Sequence, residues 1–258
     1  MSGLRVLVTG ATGRMGSEVR ALAADRGHDV VAVTETAPMD ISGPGAAETF
    51  AASDLPAALE EADVLVDFTV PEACVEYVTR AADAGVPCVV GTTGFDEAER
   101  DALREAAERV PVLEAANFAR GVQALLRAVG AAVEALPGYD VELTETHHNG
   151  KRDAPSGTAL TVLDEIDAAR GDDPERVYGR EGIQPREPGE VGVHVRRAGT
   201  VRGEHEVLLA GNEEVLTLTH RAESRGVWAA GSLDAAEWLV ERNPGYYGFA
   251  DVLDGEGQ

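Results

Sequence analysis

The chain predicts an α/β protein: a doubly wound parallel sheet joined to a smaller α+β domain with a mixed or antiparallel sheet. Three observations carry this. A short apolar run, Leu4 to Thr9, meets a glycine-rich turn and then a helical pattern. Apolar strand runs then alternate with helical stretches as far as Phe118, as in a parallel sheet. Beyond Phe118 strands begin to cluster without intervening helices. The expected boundaries are residues 1–118 with 227–258 for the first domain and 119–226 for the second.

Leu4 to Thr9 leads into Gly10-Ala11-Thr12-Gly13-Arg14-Met15-Gly16. A helix follows through Val19, Leu22 and Ala23, and Gly27-His28 ends it. Asp29 to Thr34 is the next strand, with Glu35 at its carboxyl end. Strand, glycine turn, helix, strand and acid in this order form a dinucleotide-binding unit, so the sheet is Rossmann-type. The glycines let the backbone approach a pyrophosphate resting on the helix N-terminus. The spacing is G-x-x-G-x-x-G, a weak signal taken alone. Glu35 suits a ribose with a free 2′-hydroxyl and would repel a phosphate; Arg14 is the nearest cation. NADH or NADPH is expected, with NADH favoured.

Residues 37–53 are rich in Pro, Gly and Ala and read as a loop. Leu55 to Ala62 predicts a short helix, and Val64 to Phe68 a strand. Thr69-Val70-Pro71 and a helix through Ala84 follow, capped by Gly85. Pro87 to Val90 is a strand ending in Gly91-Thr92-Thr93-Gly94. Asp96 to Arg109 is a helix, and a strand from Val112 runs into Ala115-Ala116-Asn117-Phe118. Ligands on such sheets bind beyond the carboxyl ends of the strands. The three loops at Phe68-Thr69, Gly91-Thr92-Thr93 and Ala115 to Phe118 are therefore candidates for the nicotinamide half, although each also fits ordinary turn chemistry.

Gly121 to Leu136 is a helix stopped by Pro137-Gly138. Val141, Leu143 and Glu145 alternate with Glu142, Thr144 and Thr146, which predicts a strand ending at His147. Asn149-Gly150 breaks it into a loop. Pro155 forces an extended Ala154, and Ser156 can cap a helix that starts at Gly157-Thr158 and runs to Ala169. Gly171 to Gly192 reads as a long loop. Val193 to Val195, Glu204 to Leu209 and Val215 to Thr219 are strands, the last two joined by a turn at Gly211-Asn212. This predicts a mostly antiparallel second domain. Ser224 is expected to cap a final helix that ends by Asn243-Pro244-Gly245, with the apolar strip Tyr246 to Leu253 packing on the first sheet.

Reactive groups concentrate between these strands and helices. His147, His148, Lys151 and Arg152 fall within six consecutive positions of a chain whose formal charge is -24. Lys151 is its only lysine. An ammonium group can give up a proton when its pKa is lowered, whereas a guanidinium stays charged. The loop runs straight into a helix N-terminus, where N–H groups attract anions. Imidazole, ammonium, hydroxyl and N–H groups together suit a small carboxylate-bearing substrate that needs a proton. The plainer alternative is a basic surface loop.

The 46 acidic residues outnumber the 22 basic ones all along the chain. Such a surface repels nucleic acid and anionic membranes. It predicts adaptation to high salt, where the Debye length falls to about 3 Å at 1 M. No apolar run approaches the ~20 residues of a membrane span. No basic-then-apolar leader opens the sequence, so a cytoplasmic protein is expected. Cys74 and Cys88 are too few and too far apart for a metal knuckle or a redox pair, and no metal is expected.

Glu145 through Ala159 resembles the signature of the 4-hydroxy-tetrahydrodipicolinate reductase (dihydrodipicolinate reductase) family, roughly E-x-H-H-x-x-K-x-D-A-P-S-G-T-A. The resemblance extends to Gly10 through Gly16, Gly91-Thr92-Thr93-Gly94-Phe95, Ala115 through Phe118, and Arg197-Ala198-Gly199 with Gly203-Glu204-His205. It thus covers essentially the whole chain in order. It implies NAD(P)H-dependent reduction of 4-hydroxy-tetrahydrodipicolinate, a small dicarboxylate, to tetrahydrodipicolinate in lysine and diaminopimelate biosynthesis. A homotetramer is implied, with the first domain binding the dinucleotide and the second serving substrate binding and oligomerisation. Carried over by position, His147 is the catalytic acid/base and Lys151 the proton donor. His148, Gly157 and Thr158 bind substrate. Gly10, Ala11, Thr12, Gly13, Arg14, Met15, Glu35, Gly91, Thr92, Thr93, Ala115, Ala116, Asn117 and Phe118 contact the cofactor. Thr36 and Val70 depart from the basic residues of family members that handle a 2′-phosphate. Ala119 replaces a common serine, with no consequence expected.

Rival classes lack their required groups. A short-chain dehydrogenase needs Tyr-x-x-x-Lys, and His147 lies four positions before the lysine. A two-domain semialdehyde dehydrogenase needs a catalytic cysteine, and both cysteines read as core. A non-catalytic NADH-binding redox sensor needs neither a proton donor nor an anion pocket.

Overall fold

The computed structural model describes residues 3–35, 41, 45 and 47–255. The chain divides into two units, Met1–Phe118 with Arg225–Gln258, and Ala119–Ser224. The first begins β1 (Arg5–Thr9), α1 (Arg14–Asp25), β2 (Asp29–Thr34), β3 (Glu48–Ala51), α2 (Leu55–Glu60), β4 (Val64–Asp67), α3 (Pro71–Ala84), β5 (Cys88–Val90), α4 (Glu97–Ala107) and β6 (Pro111–Glu114). Val6, Leu7 and Val8 point to alternate faces yet are all wholly buried. That is the mark of a strand covered on both sides. Gly85 ends α3 as expected, at φ +76°, and Asp96 starts α4 with a capping box to Glu99.

Residues 48–51 correct the expected loop. They form β3, pairing in parallel with β2 at the sheet edge, and Ala52–Asp54 follows as a 3₁₀ turn. Four residues are too few to show a period, and an edge strand needs only one neighbour. Thr36 lies outside the described residues.

The second unit comprises α5 (Arg120–Ala135), β7 (Asp140–His147), α6 (Gly157–Arg170), β8 (Arg176–Tyr178), β9 (Val191–Arg197), β10 (Glu204–Gly211) and β11 (Glu214–Arg221). Its sheet runs β11-β10-β7-β9-β8. β10 is antiparallel to β7 and β11, but β9 is parallel to β7 and β8. The expected mostly antiparallel sheet is therefore half parallel. Helix α6 carries the chain back, so β9 runs in the direction of β7. The expected loop at 171–192 also contains β8. Asn212 and Glu213, both with positive φ, form the two-residue turn between β10 and β11.

Both helices of this unit cover one face of the sheet. Val129 and Val133 of α5 and Val162, Leu163 and Ile166 of α6 share a core with Val141, Leu143, Val193, Val207 and Leu209. Ser156 is the N-cap of α6, accepting from Ala159 N at 3.2 Å. Ala119 occupies the N-cap of α5 and gives no side-chain cap.

The first unit is completed by α7 (Gly226–Leu239), β12 (Gly245–Tyr247) and α8 (Phe249–Gly255). Arg225, not Ser224, holds the N-cap position of α7, without a side-chain cap. The burial of Leu233, Ala236 and Leu239 places this helix instead of a polar start signal. Seven parallel strands among the described residues run β12-β6-β5-β4-β1-β2-β3. Strand order reverses between β1 and β4, which opens a crevice at their carboxyl ends. No helix among the described residues is long and apolar enough to cross a membrane.

Candidate active site

At the carboxyl end of β1 the chain turns through Gly10, at φ +64°. A Cβ there would lie 2.6 Å from the Phe68 carbonyl oxygen, and one at Gly16 would lie 2.3 Å from that of Gly10. Glycine is what lets loop, helix and neighbouring strand meet so closely. Gly13, the N-cap of α1, supplies no capping side chain, and the first turn contains no acid. The helix N-terminus therefore presents N–H groups and a positive dipole to an anion. Arg20 braces the loop from behind, donating to the Ala11 and Gly45 carbonyls at 2.9 and 2.5 Å. Glu35 is exposed just beyond β2. These residues fit a dinucleotide: free N–H groups at the helix N-terminus suit a pyrophosphate, and an exposed carboxylate suits ribose hydroxyls.

The three expected nicotinamide loops follow β4, β5 and β6, at the same end of that sheet. Their residues divide by burial. Thr93 and Ala116 are exposed, whereas Thr92 and Phe118 turn inward. Phe118 packs edge-on against Phe68 and Phe249, so only its backbone can face a ligand. Ala11 is also wholly buried, and Asn117 accepts from Trp228 Nε1 at 3.0 Å.

Asp67 is a residue that sequence reasoning missed. It ends β4 wholly buried, and its carboxylate accepts from the hydroxyls of Thr9 and Thr92, each at 2.5 Å, and from Thr69 Oγ1 at 2.9 Å. Thr9, Thr69 and Thr92 sit where β1, β4 and β5 give way to loops. One carboxylate therefore ties together three loops at the carboxyl end of the sheet. The signal was a lone acid closing an apolar strand. Cys74 and Cys88 lie nearby, buried and free; burial pushes both thiols far above their usual range. They are inert core residues.

In the second unit, β7 turns the apolar rows of the core into a polar one. Val141, Leu143, Glu145 and His147 share a face, and only the last two can ionise. Glu145 is wholly buried. Arg197, paired with His147 in the β7–β9 register, grips it with both terminal nitrogens at 2.8 Å. The backbone N–H of Ser156 donates to Oε1 at 3.0 Å, and His147 Nδ1 lies 2.6 Å from Oε2. Burial alone would raise this carboxyl's pKa. The Arg197 fork and His147 outweigh it and hold the group below the usual range.

The His147 ring stands edge-on to His205, 5.2 Å between centroids. Burial lowers its pKa against the pull of Glu145, and Lys151 and Arg197 lower it further. His205 Nε2 lies 3.1 Å from Ser156 Oγ, and burial pushes this imidazole down to about 4. Lys151 Nζ pairs with Asp153 at 2.9 Å in the loop that follows, and the Ala154–Pro155 peptide is cis. Arg197 also donates to the Asp153 carbonyl at 2.6 Å. His148 is half-buried next to His147, while Gly157 and Thr158 are the first residues of α6. One end of this unit thus gathers imidazole, guanidinium and a helix N-terminus around a single buried carboxylate, with the Lys151 ammonium on the adjoining loop. That set can hold an anionic ligand and move a proton.

The family model described as dihydrodipicolinate reductase, N-terminus, matches residues 4–118, and that for the C-terminus matches residues 121–253. The 4-hydroxy-tetrahydrodipicolinate reductase of Natronomonas pharaonis is 60% identical over 97% of this chain and 100% of its own length. That of Haloarcula marismortui is 52% identical over 97% and 99%. Among solved structures, a dipicolinate-bound dihydrodipicolinate reductase from Paenisporosarcina sp. TG-14 superposes with a TM-score of 0.78 at 25% identity, covering 96% of this chain and 99% of that one. The chain belongs to the 4-hydroxy-tetrahydrodipicolinate reductase family.

Proposed function

We propose a division of labour for the reaction of this family, the reduction of 4-hydroxy-tetrahydrodipicolinate to tetrahydrodipicolinate in lysine and diaminopimelate biosynthesis. Gly10 to Met15, Glu35, Gly91 to Thr93 and Ala115 to Phe118 hold the cofactor, which when bound supplies the hydride. His148, Gly157 and Thr158 hold the carboxylates of the substrate. After loss of water the substrate ring contains a conjugated imine, and hydride addition leaves an enamine-like anion. Lys151 donates the proton that this anion needs, and His147 acts as acid/base beside it. The observation that carries this reading is buried Glu145 bound to His147 and to the N–H of Ser156 at the start of α6, with Lys151 paired to Asp153 in the loop between them.

NADH is the preferred cofactor, since exposed Glu35 disfavours a 2′-phosphate. The protein works in the cytoplasm as a homotetramer, and its acid-rich surface suits high salt. Edge strand β11 exposes Val215 and Leu216, apolar surface that a subunit contact would cover. The decisive assay follows NADH loss with enzymatically generated substrate. Lys151→Ala should lower kcat by about 10²–10⁴-fold, the range for a positioned proton donor, with NADH affinity near wild type. Near-normal turnover in that variant removes Lys151 from the mechanism.

A further inference from the structure

We infer that Glu145 is a positioning residue for the reaction: it holds His147 in the tautomer with its hydrogen on Nδ1, leaving Nε2 as the one ring nitrogen that exchanges a proton. This rests on the assignment of His147 as the acid/base.

Glu145 and His147 lie two residues apart on β7 and share a sheet face. The Glu145 carboxylate is wholly buried, and its oxygens accept from Arg197 twice, from Ser156 N and from the His147 ring. A buried carboxylate gripped by a guanidinium fork is an acceptor on both oxygens. In the 2.6 Å contact the hydrogen therefore belongs to His147 Nδ1. The neutral ring then carries its lone pair on Nε2.

Beside Nε2 a side chain is missing. Gly203 immediately precedes Glu204, which pairs with Thr146, and a Cβ at Gly203 would lie 3.1 Å from His147 Nε2. That is closer than ordinary contact, so a larger residue would crowd the atom that has to meet substrate.

The charges around the ring give Glu145 a second role. Arg197 from β9 and Lys151 from the loop oppose an imidazolium, and His205 from β10 stands at the ring edge. Glu145 is the anion that favours it. When Nε2 takes a proton, an N–H bond forms from its lone pair, and the positive ring is matched by the carboxylate. When the proton leaves, the pair returns to Nε2. Glu145 neither gains nor loses a proton, because Arg197 keeps it ionised.

Two measurements test this. In the wild-type protein with ¹⁵N-labelled histidine at neutral pH, His147 should show a protonated Nδ1 and a bare Nε2. The opposite tautomer overturns the inference and needs no variant to fold. Glu145→Gln, assayed with NADH, should lower kcat roughly hundredfold with the KM for NADH within about twofold, and should move the acid limb of the kcat/KM profile to lower pH. An unchanged pH profile and kcat in that variant overturn it. His147→Ala separates the two levels. If that variant is inactive while Glu145→Gln keeps the wild-type profile, only this inference fails. If it keeps full turnover, the catalytic reading of His147 fails and the inference with it.

Discussion

Acidification should destabilise the second unit through His205, and the size of the effect can be worked out. The ring is 3% exposed, and burial pushes its pKa from the ordinary 6.5 to about 4. Nearby His147, His220 and Lys151 add to the depression, and Glu145 opposes it. Between those two values the unfolded chain carries the proton and the folded chain does not. The unfolded state binds more protons, so stability rises with pH through this window and falls as the solution is acidified. At about 1.4 kcal/mol per pKa unit, the loss from pH 7 to pH 4 is about 3 kcal/mol. Other groups act in the same direction. His147 and His220 are also depressed, and Glu145 contributes below the ordinary carboxylate range. His205→Gln isolates the one term, since it removes the titration while leaving an acceptor for Ser156. Urea melts at fixed high salt, at pH 7 and pH 4, should show the wild type losing about 3 kcal/mol more than the variant. A histidine NMR titration of the wild type should place His205 near 4. Equal losses in the two proteins, or a His205 titration at 6.5, refute the reasoning.

Three further outcomes are expected. Ala119→Ser should restore a cap to α5 and raise stability by about 1 kcal/mol, read from urea melts. Asp67→Asn replaces one acceptor oxygen with a donor beneath the loops after β1, β4 and β5. It should cost about 1–3 kcal/mol of stability. It should also raise the KM for NADH more than it lowers kcat; a kcat loss alone would count against the tether. The Tm should climb with KCl, because screening shortens the Debye length from about 10 Å at 0.1 M to about 3 Å at 1 M around a chain of charge -24. A Tm independent of salt would refute the proposed high-salt adaptation.

The order of strands and helices in the first unit was legible because each element is short, locally patterned and punctuated. Gly85 and Asp96 act within one turn of chain, and their effect needs no partner elsewhere. β3 and β8 were not legible, since Glu48-Thr49-Phe50-Ala51 and Arg176-Val177-Tyr178 lack the continuous apolar run that marks β4 and β5, and their pairing is decided by distant neighbours. The hydroxyl ring around Asp67 escaped notice for the same reason. Thr9, Thr69 and Thr92 read individually as turn residues, and only the parallel sheet brings them to one carboxylate.

The second unit shows where local pattern stops and register takes over. Alternation along β7 sets Glu145 and His147 beside Val141 and Leu143, so an acid and an imidazole on a core face could be read directly. Their cation could not, because Arg197 lies 52 residues further along the chain. Register decides the match. A slip of one residue between β7 and β9 would carry Arg197 to the opposite face. Glu145 would then be a buried charge without its partner, a loss of about 3–5 kcal/mol. The ion pair therefore selects the same strand alignment that delivers His147, edged by Gly203, to the end of the sheet where Lys151 waits.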